Sequence, residues 1–346
     1  MTRQSLLRSS VLLGALLSAC SSETVAMWPA PPVHFRTEPG PAPSSSPIAP
    51  TDKERGLADA YTKALASPSF VELGPMIDEQ GRFASGAQNT HGRDRVLKGH
   101  EEMFGAFDRR YFVTNRVWLT DSTHPLDSQA FEWTMTGVQA RAFLGVAPTG
   151  KPVVIKGLTL LWTSDDGIIT DLHVYFDEEV VRAQLVRGPT DLQKLPAPSP
   201  DAEAGQMFER SGTKEESANV ATARAMIQAL EDDKETTFLS TMDDDVELFT
   251  SDRAEPLRGK GPAREYFKTM RRSIRLLDTV IENAWGVRSF VVTEYAITGL
   301  QLAPLPRIDF APGRPLHTQF VDVAEFRDGR IARIWRFADP IAFASL

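Results

Sequence analysis

Residues Glu132-Trp133-Thr134-Met135-Thr136-Gly137-Val138-Gln139 recur almost letter for letter as Glu294-Tyr295-Ala296-Ile297-Thr298-Gly299-Leu300-Gln301, an offset of 162 residues. The same offset carries Asp166-Gly167 to Asp328-Gly329, Ile169 to Ile331, Leu172 to Ile334, Tyr175 to Phe337 and Asp177 to Asp339. Upstream it carries Thr51…Glu54 to Thr213…Glu216, both in the T-x-x-E form of a helix capping box. A self-similarity of roughly 130 residues is too long for a solenoid unit and has the length of a domain. The chain therefore reads as one fold written twice.

The first residues read as a secretory leader over 1–19. Arg3 and Arg8 precede the apolar run Val11–Leu17, which is too short to span a bilayer. The run leads into Leu17-Ser18-Ala19-Cys20, which resembles a bacterial lipobox and implies lipidation of Cys20, with anchoring at the cell envelope, on the outer-membrane or periplasmic side. Cys20 is the only cysteine, so the mature chain has no disulfide, thiol nucleophile or thiolate metal site. The formal charge of −8 becomes −10 without Arg3 and Arg8, which opposes nucleic-acid binding. The six histidines show no i, i+4 pairing, so no metal and no cofactor are expected.

Residues 20–52, rich in Pro, Ser and Ala, read as a tether, and 188–216, with Pro196-Ala197-Pro198-Ser199-Pro200, as a linker between domains at 53–187 and 217–346. In the first domain, helices are expected around Leu57–Leu65, Phe70–Ile77 and Leu97–Phe107. Strands follow at about 111–119, 129–138, 153–163 and 168–176. The second domain repeats the order. Helices followed by a run of strands predict an α+β class, each domain packing about three helices on one face of a curved antiparallel sheet.

Gly157-Leu158-Thr159-Leu160-Leu161-Trp162, Asp166-Gly167-Ile168-Ile169 and Tyr175-Phe176-Asp177 resemble the end of SnoaL-like polyketide cyclase domains of the nuclear transport factor 2-like superfamily. Phe326, Asp328-Gly329-Arg330-Ile331, Trp335 and Asp339 repeat the resemblance. It implies two tandem cones, each a bent sheet wrapped around helices with an apolar pocket. Catalytic members end in a motif whose His and Asp face that pocket. Laid on this chain, those places hold Leu172 and Val174 in the first copy and Ile334 and Arg336 in the second. Inherited cyclase chemistry is therefore not expected.

Strand alternation puts Leu172, Val174 and Phe176 on one face, an oily pocket wall in the first copy. The same face of the second copy carries Ile334 and Arg336, whose guanidinium either holds a ligand anion or is paired within the protein, with Asp339 or Glu294. Glu132 and Glu294 alternate with Trp133 and Tyr295, so each either faces the pocket as a relocated acid–base group or faces outward. His173 and Trp335 occupy equivalent places on the face opposite the lost acid, suited to packing or to an interface. Trp133 and Tyr295 are likewise expected on a surface pairing the copies as an intramolecular pseudo-dimer. Two functions remain: an envelope lipoprotein that binds a small apolar or amphipathic molecule without catalysis, or a cofactor-free cyclase, isomerase or hydratase using Glu132 or Glu294.

Overall fold

The computed structural model describes residues 52–85, 88–120, 127–188, 206–250, 253, 255–303, 313 and 315–338. The expected leader, Cys20, nearly all of the tether, Asp339 and Thr51 of the first capping box lie outside these residues. The first copy opens with helix α1 (Asp52–Ala66), a 3-10 helix (Phe70–Met76), the strand pair β1 (Ile77–Ser85) and β2 (Gln88–His91), and helix α2 (Arg93–Phe104). A meander follows: β3 (Phe107–Leu119), β4 (Asp127–Gln139), β5 (Pro152–Thr163) and β6 (Ile169–Phe176), closed by helix α3 (Glu178–Arg187). Strand β7 (Gln206–Glu209) leads to the second copy. That copy comprises α4 (Lys214–Glu231), α5 (Glu235–Ser240), β8 (Met242–Thr250), β9 (Leu257–Arg258), α6 (Lys260–Ser273), β10 (Ile274–Val287), β11 (Phe290–Gln301), β12 (Pro315–Arg327) and β13 (Arg330–Ala338).

The capping box foreseen at Thr213 is formed. Thr213 Oγ1 accepts from the Glu216 amide, and the Glu216 carboxylate accepts from the Thr213 amide at 2.9 Å. Glu216 also accepts from the amides of Ser211 and Arg288, which ties the start of α4 to the β10–β11 turn. Gly286 makes that approach feasible, since a Cβ there would lie 2.8 Å from the Glu216 carbonyl oxygen. The repeated Asp-Gly pair turns β12 into β13, with Asp328 at φ 52° and Gly329 at φ 73°, the left-handed pair that a tight hairpin needs.

The strands run β2-β1-β6-β5-β4-β3-β7 in one sheet and β10-β11-β12-β13-β8-β9 in the other. Neither sheet is purely antiparallel, which corrects the expectation. β1 lies parallel to β6, and β8 parallel to β13, because each enters from the helices before the meander and docks beside its last strand. Part of the expected linker is also structured, since β7 pairs in parallel with β3, Trp118 opposite Phe208. The third expected helix ends at Phe104, and Phe107 already belongs to β3.

Each sheet buries both faces. The concave face of the first encloses Tyr61, Leu65, Leu73, Phe104, Val181 and Leu185 from the helices, and that of the second encloses Met226, Ile227, Leu230, Phe238 and Phe267. The opposite faces share one apolar cluster, with Trp118, Ala130, Leu158, Leu160 and Tyr175 from the first copy and Trp285, Phe290, Val292, Val321, Val323 and Phe337 from the second. Phe208 of β7 packs between Trp118 and Phe290, 6.2 and 4.5 Å from their ring centres.

Candidate functional site

Alternation within β4 and β11 decides which residues of the repeated octet face the cones. Trp133 and Tyr295 join the interior clusters, which corrects their assignment to the inter-copy surface. Glu132 and Glu294 consequently point to the opposite faces. Glu132 is 2% exposed, with Arg116 Nε at 2.6 Å and Lys156 Nζ at 2.5 Å. Burial pushes its carboxyl up, but the two cations outweigh burial and hold it below the ordinary carboxylate range. Arg116 also lies 3.9 Å over the Trp335 ring of the other copy.

Glu294 is fully buried and takes donors from both copies. His173 Nδ1 donates to its Oε1 at 2.6 Å, the Tyr175 hydroxyl donates to the same oxygen at 2.5 Å, and Asn283 donates to Oε2. His173 Nε2 stands 3.2 Å from Asp171 Oδ1, and Arg82 pairs with the other oxygen of Asp171 at 3.2 Å. Burial disfavours the imidazolium, but Glu294 and Asp171 more than compensate and raise His173 to about 10. Burial also pushes Glu294 up, and His173 draws it back below the usual range. Both carboxylates once considered for acid–base work thus lie outside the cones, neutralised by partners. A folded-state pKa raised from 6.5 to about 10 adds stability that is complete below pH 6.5 and disappears as the pH approaches 10. The melting temperature should therefore fall across that window, and His173→Gln should flatten the slope. A thermal-unfolding series from pH 6 to pH 10.5 with equal slopes in both proteins would contradict this account.

A second polar cluster lies inside the second cone. Arg336 on β13 faces Asp322 on β12, Nε to Oδ1 at 2.8 Å and Nη2 to Oδ2 at 2.6 Å. Its Nη1 donates to the Tyr266 hydroxyl on α6 at 2.7 Å, and Tyr295 on β11 donates to Asp322 Oδ2 at 3.2 Å. The guanidinium lies 5.5–5.9 Å from the ring centres of Tyr266, Phe320 and Tyr295. Burial opposes its charge, yet Asp322 holds the Arg336 pKa well above the usual value. The expectation that Arg336 gives this cone a preference for anions is thereby corrected, because a bidentate Asp322 cancels the charge in place. Among the described residues the partner is Asp322 and not Glu294, and Asp339 lies outside them. Tyr266 is the half-exposed member of the cluster and Ile334 belongs to the apolar wall around it. Removing one partner of such a pair typically costs about 3–5 kcal/mol, whereas apolar replacement of both is often neutral. Arg336→Leu should therefore destabilise the chain strongly in urea, and Arg336→Leu with Asp322→Leu should recover most of the loss. A double variant as unstable as the single one would count against the pairing.

In the first cone, Leu172, Val174 and Phe176 form an apolar wall at 0–3% exposure. The wall is covered from within by packed side chains, including Trp133 and Phe104. The expected oily pocket is thus filled. A buried polar pair, missed in the sequence, sits among these rings: the Tyr61 hydroxyl and His100 Nε2 lie 2.6 Å apart, and His100 Nδ1 lies 2.8 Å from the Val96 carbonyl. Burial lowers His100 to about 4 and raises Tyr61 beyond its ordinary range, so the imidazole is neutral and positions the ring. Tyr266 and Asp322 were missed as well; one lies on a helix and the other on a strand of the second copy, and only the fold brings them to Arg336. An open depression of about 480 Å³ at the start of α2, lined by Glu79 and His91–Arg95, includes none of the candidate residues.

Residues 223–334 match the family model of the SnoaL-like domain. The second copy is a SnoaL-like domain, and the first repeats its order of elements. Similar solved structures include a protein described as a polyketide cyclase from Xanthomonas campestris pv. campestris, at 19% identity and a TM-score of 0.32, over 36% of this chain and 91% of that one. A SnoaL-like protein from Jannaschia sp. CCS1 is 18% identical with a TM-score of 0.36, over 42% and 100%. An LEH-like epoxide hydrolase from M. tuberculosis is 18% identical with a TM-score of 0.30, over 38% and 89%. No curated protein matches the chain.

Proposed function

We propose that the chain is an envelope-anchored lipoprotein whose second copy binds a small apolar or amphipathic molecule without transforming it. The observation that carries this reading is the neutral Arg336–Asp322 pair, joined by Tyr266 and Tyr295 and set in an apolar wall. Such a cluster offers the partly exposed Tyr266 hydroxyl to an uncharged polar end of a ligand and no net attraction to a carboxylate. The absence of catalysis is supported by the occupants of the family's acid–base places, Leu172, Val174, Ile334 and Arg336, and by the sealed interface positions of Glu132 and Glu294. A cyclase, isomerase or hydratase of this fold would instead take Asp322 as its base, and turnover of a substrate by the wild-type chain would favour that reading.

The probe pair is a long-chain alcohol and the fatty acid of equal length, followed by native mass spectrometry and titration calorimetry. The alcohol should bind at least as tightly as the acid. A neutral hydrogen bond contributes about 0.5–1.5 kcal/mol, so Tyr266→Phe should weaken the alcohol roughly twofold to tenfold. Binding of neither probe would defeat the proposal, and a strong preference for the acid would defeat its electrostatic basis.

Anchoring rests on Cys20 and the lipobox before it. Cys20→Ser should move the protein from the membrane fraction to the soluble fraction with its circular dichroism unchanged, and a variant that stays membrane-bound would refute the lipid anchor.

A further inference from the structure

We infer that Trp133 is a built-in occupant of the first cone, an intramolecular ligand that closes that copy to outside molecules and leaves ligand binding to the second. The inference rests on the reading of the cones as ligand sites, but its physical basis is local. Trp133 is fully buried on β4 directly opposite Gly157 on β5. A Cβ on Gly157 would fall 2.2 Å from Trp133 Cζ2 and 2.5 Å from Cη2, so the indole lies in a slot that exists only because residue 157 has no side chain. Its Nε1–H donates to Thr159 Oγ1 at 2.9 Å. Phe104, Phe112 and Phe176 surround the ring with centres 5.7, 5.5 and 6.3 Å away. A flat apolar slot with one hydrogen-bond acceptor at its edge is the recognition chemistry of a planar aromatic carrying one N–H.

The second copy lacks each of these features. Tyr295 stands at the place of Trp133, but its strand partner is Phe320 instead of a glycine. The two rings stack at 5.4 Å and 19°, and the Tyr295 hydroxyl is spent on Asp322. The slot for an indole therefore belongs to the first copy alone. The same position in the second cone supports a polar cluster.

Emptying the slot should turn it into a binding site, since an apolar cavity of this kind remains dry and accepts small aromatic molecules. In the full-length chain, Trp133→Ala should lower the melting temperature by about 5–15 °C. Millimolar indole should restore part of that loss by mass action while leaving the wild-type melting temperature unchanged. Failure of indole to raise the melting temperature of Trp133→Ala, or an equal rise in the wild type, would overturn the inference. If Trp133→Ala does not fold, the decision passes to Gly157→Ala in the wild type and in Trp133→Leu. The added methyl should lower the melting temperature markedly when the indole is present and little when it is gone, whereas equal losses would overturn the inference. Neither arm involves the alcohol probe or Tyr266, so a failed binding reading for the second cone is distinguishable from a failed plug.

Discussion

Each sheet carries buried apolar residues on both of its faces, and this constraint organises the rest of the molecule. One face of β11 sends Val291, Tyr295 and Ile297 into the cone, while the other sends Phe290, Val292 and Glu294 against the first copy. A sheet with two apolar faces cannot meet water on either, so each copy needs its helices on one side and the other copy on the other. The buried carboxylate of Glu294 sharpens that dependence. Two of its donors, His173 and Tyr175, come from the first copy, and without them the charge would be desolvated and undercompensated. Each sheet thus supplies the apolar surface that the other covers.

The two halves of the interface differ in how they satisfy Glu132 and Glu294. Glu132 is neutralised within its own copy by Arg116 and Lys156, and Trp335 covers Arg116 from the other side. Glu294 is neutralised across the interface by a histidine. The interiors differ as well. The first is filled by an indole packed on a glycine, and the second holds a neutral ion pair with two tyrosines. The first interior is apolar around Trp133, and the second carries buried polar groups.

Much of the fold was legible in the sequence because the meander strands are β-branched and the octet repeats with an Asp-Gly turn after it. β1 was not legible. Asp78-Glu79-Gln80 is polar, and the strand exists because Ile77 and Phe83 dock through pairing with β6. Gln206-Met207-Phe208-Glu209 looked like linker for the same reason, since the edge of β3 defines it. At the site, alternation showed that Glu132 and Trp133 face opposite ways but could not say which faced inward; Gly157 and Thr159 settle that by offering the indole a slot and an acceptor. Arg336 was found from its place in the family motif. Its partners Asp322 and Tyr266 were not, because only the register of β12 against β13 and the packing of α6 bring them together.

The central claim is that the two copies are one cooperative structure sharing a core. Differential scanning calorimetry of the chain tests it directly. A shared core predicts a single transition whose calorimetric and van't Hoff enthalpies agree. Two resolved transitions, each with the enthalpy of a single copy, would contradict it and return the interface to the status of a contact between independent domains.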